Sequence, residues 1–148
     1  MTVGQRDVTA APVVVGVDGS EGSQRALRWA AEYARMSGAP LQAVMAWDLP
    51  TNYGMPANYD DVDFTKEAEA RLEQTLAAVG DLGVVEQRVE QVTPRPAVLV
   101  SASEHARLLV IGSHGHGVFA ASLLGSVSHK CIHHAQCPVV VVREKSNT

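Results

Sequence analysis

Short runs of apolar, often β-branched residues alternate along this chain with longer segments in which apolar residues recur every three or four positions. The short runs predict buried strands, and the longer segments predict amphipathic helices. Ser20 is a predicted helix N-cap, and Gly38 is predicted to end the same helix. The predicted strands are 12–18, 41–47, 84–92, 108–112 and 138–143, and the predicted helices are 20–37, 61–80, 97–106 and 126–135.

Strict alternation of five strands with four helices predicts an α/β fold: a single-domain open five-stranded parallel sheet with helices on both faces, Rossmann-like in architecture. Residues 84–92 interleave charges and glutamines with valines, which suits an edge strand, whereas 12–18 and 108–112 suit the centre. The strand order 3-2-1-4-5 satisfies both requirements. The winding direction then reverses between strands 1 and 4, and open α/β sheets bind ligands at such a reversal.

Composition excludes several classes of function. The 148 residues carry a net charge of −4 with no basic run, which argues against nucleic-acid binding, and no apolar run is long enough to span a bilayer. The first sixteen residues lack the pattern of a secretion signal, and two cysteines make no disulfide framework. We expect a cytoplasmic protein with a flexible N-terminus at 1–10, a folded domain at 11–143 and a tail at 144–148.

Candidate chemistry concentrates in GSHGHGVFAASLLGSVS at residues 112–128. Gly112, Gly115 and Gly117 are predicted to take positive φ, so that backbone N–H groups converge on an anion. Gly125 and Ser126 open a helix whose free N–H groups favour phosphate, and the hydroxyls of Ser126 and Ser128 add donors. Asp18, after strand 1, is placed to accept hydrogen bonds from ribose hydroxyls or to hold Mg²⁺ through water; an Asx turn is the structural alternative for this residue.

Other motifs give weaker signals. The chain has no Walker A sequence, and Gly115-x-Gly117-x-x-Ala120 follows strand 4 rather than strand 1, unlike a dinucleotide fingerprint. His129, His133 and Cys137 are spaced by four, but Cys137 precedes Pro138 and no carboxylate or CxxC completes a set. We therefore predict no metal site made by the protein alone.

The spacing Gly112-x₂-Gly115-x₉-Gly125-Ser126 resembles the signature of the nucleotide-binding branch of the universal stress protein family. The likeness extends over about residues 11–143 and includes VVVGVDGSEGSQRALRWA near the start. The resemblance implies an ATP-binding domain of the adenine nucleotide alpha hydrolase type, usually a homodimer, that acts in stress signalling with a partner that the sequence does not name.

The resemblance also implies which residues meet the nucleotide. Asp18 would contact ribose, Gly16 and Val17 would line the adenine end, and Val44 or its neighbour Ala43 would meet the base through its backbone. His114 and His116 stand where the family often has arginine. The remaining residues implied to surround ribose and phosphates are Gly112, Ser113, Gly115, Gly117, Gly125, Ser126, Val127 and Ser128.

No positioned base or nucleophile is visible, so we expect a binding protein with at most slow ATP hydrolysis rather than an enzyme. Two alternatives stay open: a regulatory dimer of the same fold that binds no nucleotide, and a receptor for another adenine nucleotide such as cyclic AMP. Strand 5 is apolar yet lies at a free edge in the predicted order, which predicts a homodimer through Val139, Val140, Val141 and Val142.

Overall fold

The structure, a computed structural model, describes residues 11–47, 64–91, 96–113 and 125–144. Five strands and four helices alternate in these ranges. The strands are β1 (Val13–Gly16), β2 (Leu41–Trp47), β3 (Val85–Gln91), β4 (Leu108–Gly112) and β5 (Val139–Val142), and the helices are α1 (Glu21–Ser37), α2 (Phe64–Val79), α3 (Pro96–Ser103) and α4 (Ser126–His134).

The strands form one parallel sheet in the order β3-β2-β1-β4-β5. The predicted fold class and strand order are therefore confirmed. β1 lies between β2 and β4, with Val15 opposite Ala43 on one side and Val110 on the other. The reversal of winding direction falls between β1 and β4, as the sequence predicts.

Each face of the sheet is covered by a pair of helices. Val13 and Val15 of β1 pack in one core with residues of α1 and α2, while Val14 packs in a second core with residues of α3 and α4. Because neighbouring residues of a strand point to opposite faces, a continuous valine run suits a strand that is buried on both sides. All three valines have no exposed surface.

The ends of several elements differ from the predicted ones. β1 ends at Gly16, so Val17 and Asp18 lie in the following turn. Helix α3 begins at Pro96, where a missing N–H costs nothing, and it ends at Ser103 rather than 106. The shorter end has a local cause: the N–H groups of residues 104–106 bond carbonyls three residues back, which tightens the chain into turns.

The caps of α1 follow the prediction. Ser20 is the N-cap, and its Oγ accepts a hydrogen bond from the Ser23 N–H at 3.2 Å. Gly38 ends the helix with φ 71°, a left-handed conformation that glycine adopts without strain. The same helix buries an alanine-rich face against the sheet, which lets it lie close to β1 and β4.

The two edges of the sheet differ in chemistry. On β3, Arg88 pairs with Glu90, and Glu86 accepts a hydrogen bond from Gln42 on β2. On β5 all four residues are valines, each half-buried. Charged side chains on an edge strand disfavour pairing with a further strand. β3 is protected in this way and β5 is not.

Candidate functional site

The carboxyl ends of β1 and β4 lie side by side, at the reversal of winding direction where open α/β sheets have their ligand-binding crevice. After β1 come Val17, Asp18 and Gly19, and after β4 comes Ser113. Because the two strands are neighbours and parallel, residues nearly one hundred positions apart in sequence leave the sheet at the same end.

The turn after β1 is held by two hydrogen bonds. The Val17 N–H donates to the Val44 carbonyl at 2.9 Å, and Asp18 Oδ1 accepts from the Ser20 N–H at 2.9 Å. Gly19 completes the turn at φ 86°. Asp18 thus forms an Asx turn. The structure also brings together three residues implied for the base and ribose end: Val17, Asp18 and Val44.

Gly112 differs from its prediction. Its φ is not positive, because it is the last residue of β4. A Cβ at this position would lie 2.9 Å from the backbone carbon and oxygen of Gly22 on α1. The need for glycine here is therefore close approach between two backbones, and the predicted left-handed conformation is wrong for this residue.

The residues that flank segment 114–124 are fastened to each other. The Gly125 N–H donates to the Ser113 carbonyl at 2.7 Å, and the Ser113 N–H donates to the Val142 carbonyl at 3.1 Å. Ser113 is 5% exposed. The beginning of α4 is thus held against the end of β4, beside the turn after β1.

Ser128 strengthens this junction. Its hydroxyl donates to the Gly112 carbonyl at 2.6 Å and lies 3.3 Å from the Ser113 carbonyl, and the residue is 4% exposed. The sequence suggested this hydroxyl as a donor to phosphate. In the structure its one hydrogen is directed at the end of β4 instead, so it fixes the position of the first turn of α4.

Gly125 is the N-cap residue of α4, with φ −73° and ψ 167°. Among the described residues, no side chain forms a capping hydrogen bond with the first turn of this helix. The first N–H groups of a helix have no carbonyl partner within the helix, and the helix dipole gives this end a partial positive charge. The backbone of Ser126, Val127 and Ser128 is therefore suited to an anion.

His114, Gly115, His116 and Gly117 lie outside the described residues. Among the residues that are described, no group of three or more His, Cys, Asp or Glu side chains is arranged to hold a metal ion. No helix in the described ranges is long and apolar enough to cross a membrane.

A depression of about 520 Å³ opens between α1 and α2, lined by Gly19, Gln24, Arg71, Gln74, Thr75 and Ala78. Arg71 on its rim is well exposed and pairs with Glu67 one turn away on the same helix, at 3.5 Å. The depression therefore lies on the α1–α2 face and shares none of the residues at the start of α4.

Two residues near the crevice carried no signal in the sequence. Gly22 matters because its backbone meets Gly112, a contact between positions ninety residues apart. Arg25 follows Gly22 by one helical turn, and its buried Nε has no hydrogen-bond partner among the described residues. The position of Arg25, one helical turn after Gly22, becomes informative only once the contact between Gly22 and Gly112 is known.

The family model for the universal stress protein family matches residues 10–143. The chain belongs to the universal stress protein family. Universal stress protein Rv2005c of Mycobacterium tuberculosis is 40% identical over 144 residues, a match that covers 93% of this chain and 47% of that protein. The chain thus spans about half the length of such relatives.

Solved universal stress proteins share the fold. One in complex with cAMP has a TM-score of 0.67 and 28% identity, covering 90% of this chain and 97% of that one. Another, from Archaeoglobus fulgidus in complex with dAMP, has a TM-score of 0.57 and 30% identity, covering 90% and 98%. Adenine nucleotides are therefore ligands of other members with this fold.

Proposed function

We propose that this universal stress protein binds an adenine nucleotide, ATP with Mg²⁺, in the crevice between β1 and β4. The observation that carries the proposal is the uncapped N-terminus of α4, fastened to the end of β4 beside the turn after β1. Family members in complex with cAMP and dAMP support the adenine part of the proposal.

The proposed roles follow the chemistry of each group. The N–H groups of Ser126, Val127 and Ser128 would receive phosphate oxygens, because they are fixed donors at the positive end of a helix dipole. Gly16, Val17 and the backbone around Val44 would meet the adenine. His114, Gly115, His116 and Gly117 are proposed to complete the phosphate surroundings, on the family signature alone.

Asp18 fits either role that the sequence suggests. A carboxylate accepts hydrogen bonds from ribose hydroxyls and is also the ligand type that Mg²⁺ prefers. The Asx turn holds Asp18 Oδ1 toward the Ser20 N–H, so the orientation of the carboxylate is set before any ligand arrives. Bound Mg²⁺ would neutralise part of the triphosphate charge.

We propose that the protein signals through a change of conformation when nucleotide binds. We propose a cytoplasmic signalling module with at most slow ATP hydrolysis. Nucleotide binding would favour one arrangement of the surfaces beside the crevice, which a signalling partner then reads.

We also propose that the chain forms a homodimer through β5. Its four half-buried valines, Val139–Val142, end the sheet without the charges that protect β3. Trp29 on α1 and Ile132 on α4 are 38% and 44% exposed, and both helices contact β5. Antiparallel pairing of two β5 strands would cover both edges. A monomer in sedimentation at micromolar concentration would contradict this.

The first experiment is to denature freshly purified protein and to identify released nucleotide by mass spectrometry. A melting titration with ATP and Mg²⁺ complements it: at 100-fold excess over Kd, the free energy of unfolding should rise by about 2.7 kcal/mol. If no adenine nucleotide is released and ATP with Mg²⁺ gives no melting shift, the proposal is contradicted.

Asp81 offers a matched control for Asp18. Its Oδ1 accepts a hydrogen bond from the Gly83 N–H at 3.2 Å, another Asx turn, on the exposed surface after α2. Asp18→Ala should weaken the binding of ATP more than the binding of inorganic triphosphate. Asp81→Ala should leave the affinity for ATP unchanged. Equal ATP affinity in both variants would remove Asp18 from the proposed site.

A receptor for cyclic AMP is the second candidate, and the structural relative in complex with cAMP favours it. Competition separates the two: if cyclic AMP displaces ATP at concentrations below the Kd for ATP, the second candidate replaces the first. The proposal predicts tighter binding of ATP, because a triphosphate has more oxygens for the N–H groups of α4.

A further inference from the structure

Two histidines form an exposed pair on α4. His129 and His133 are four residues apart, their ring centroids are 4.5 Å apart, and the ring planes meet at 64°. Both residues are exposed. Neither ring has a hydrogen bond or ion pair with another described residue.

The helix beneath the pair is firmly held. Cys131, between the two histidines in sequence, has no exposed surface and packs in the core against β4 and β5. Ser128 is fastened to the end of β4. Residues four apart on such a helix project from the same side, one turn above the other, so the two rings are neighbours without any rearrangement of the backbone.

Imidazole nitrogen is a ligand for Zn²⁺, Ni²⁺ and Cu²⁺, and a pair spaced by four on a helix binds one ion from two sides. Mg²⁺ and Ca²⁺ prefer oxygen ligands and are excluded on chemical grounds. We propose that His129 and His133 form a two-histidine chelate for a divalent transition-metal ion on the outer surface of α4, with water as the other ligands.

A two-histidine chelate differs from a zinc site formed by His129, His133 and Cys137, for which the sequence offers no completing ligand. That site needed a third protein ligand, and none completes a cluster among the described residues. A chelate of two histidines needs only the helix. The folded helix holds the two rings side by side and the unfolded chain does not, so the ion should bind the folded chain more tightly and stabilise the protein.

The test is titration of the untagged, nucleotide-free chain with NiCl₂, followed by calorimetry and by thermal melting. We expect one ion per chain and a rise in melting temperature with Ni²⁺ and not with MgCl₂. His129→Gln and His133→Gln should each weaken Ni²⁺ binding about 100-fold, since one ligand alone loses the advantage of two linked ligands.

His134 provides the matched control. It is exposed on the same helix, but its ring lies 6.4 Å from that of His133 and is one position out of register with the pair. His134→Gln should bind Ni²⁺ like the original chain. Equal loss in all three variants, unchanged binding in the first two, or no binding by the original chain would each overturn the proposal. Because no nucleotide is present, none of these results bears on the proposed function.

Discussion

Two helix N-termini meet at the crevice, and they are closed differently. At α1 the Ser20 side chain accepts a hydrogen bond from the Ser23 N–H, so the helix has a side-chain cap on its first turn. At α4 the N-cap is Gly125, which has no side chain to do this. Since capping groups and anions compete for the same N–H groups, this difference is the reason that the proposed phosphate site lies at α4 and not at α1.

The largest expected effect comes from giving α4 a cap like that of α1. Gly125→Asp would place a carboxylate over the first turn of α4, at a φ and ψ that any residue adopts. This carboxylate should compete with phosphate for the N–H groups of α4 and should also repel it. Because hydrogen bonds to charged groups are worth about 1.5–3 kcal/mol, ATP affinity should fall on the order of 100-fold. Calorimetry measures the change.

Gly125→Asn is the control for charge. Asparagine caps a helix about as well as aspartate but does not repel phosphate. It should therefore lose less affinity than the aspartate variant, with circular dichroism showing that both retain the helix. ATP affinity equal to that of the original chain in both variants would rule out α4 as the phosphate site.

The next effect concerns the contact that brings α1 against β4. Gly112→Ala would push a Cβ to 2.9 Å from the Gly22 backbone, which cannot turn aside, and should lower the free energy of unfolding by about 1–3 kcal/mol. In Gly16→Ala the new Cβ would also lie 2.9 Å from its nearest neighbour, Leu99 Cδ1, but the end of a leucine side chain can shift. It should cost about 1 kcal/mol or less; urea unfolding that ranks the two variants the other way would contradict this reading.

A smaller effect separates the two serines of the first turn of α4. Ser128→Ala removes the hydroxyl that donates to the Gly112 carbonyl and should cost about 1–2 kcal/mol of stability. Ser126 is exposed, and Ser126→Ala should leave thermal stability nearly unchanged. If both variants melt alike, the hydroxyl of Ser128 is not what holds α4 to β4.

The smallest effect lies beneath α4. Burial raises the pKa of the Cys131 thiol to about 11, from 9.0. Because the folded state holds the thiol proton more tightly than the unfolded state does, the contribution of Cys131 to the free energy of unfolding is complete below pH 9. That contribution is lost as the pH rises toward 11. Between pH 8 and 9.5 the free energy of unfolding should fall by less than about 1 kcal/mol because of Cys131. Urea unfolding at both pH values should show a smaller decrease in Cys131→Ala than in the original chain.

The order of elements and the sheet were predictable, because valine runs and spaced apolar residues report burial directly. Ser20 and Gly38 were predictable too, since caps depend on local sequence. The role of Gly112 was not. A glycine in a strand is compatible with positive φ or with close backbone approach, and only the position of Gly22, far away in sequence, decides between them.

For the candidate site, the sequence predicts a location but not the contacts between its residues. Reversal of the winding direction between β1 and β4 places a crevice there whatever the side chains are. The hydroxyl of Ser128 was assigned to a ligand because serine at a helix start commonly donates. In the structure it bonds the Gly112 carbonyl, a partner that becomes visible only when β4 and α4 are brought together.

Amide hydrogen exchange with and without ATP and Mg²⁺ tests the central claim most directly. The N–H groups of Ser126, Val127 and Ser128 should exchange at least about tenfold more slowly when ATP is bound, while the Ser23 N–H, already held by Ser20, should be unaffected. Protection at Ser23 with none at residues 126–128, or no change at either helix under saturating ATP, would contradict the account.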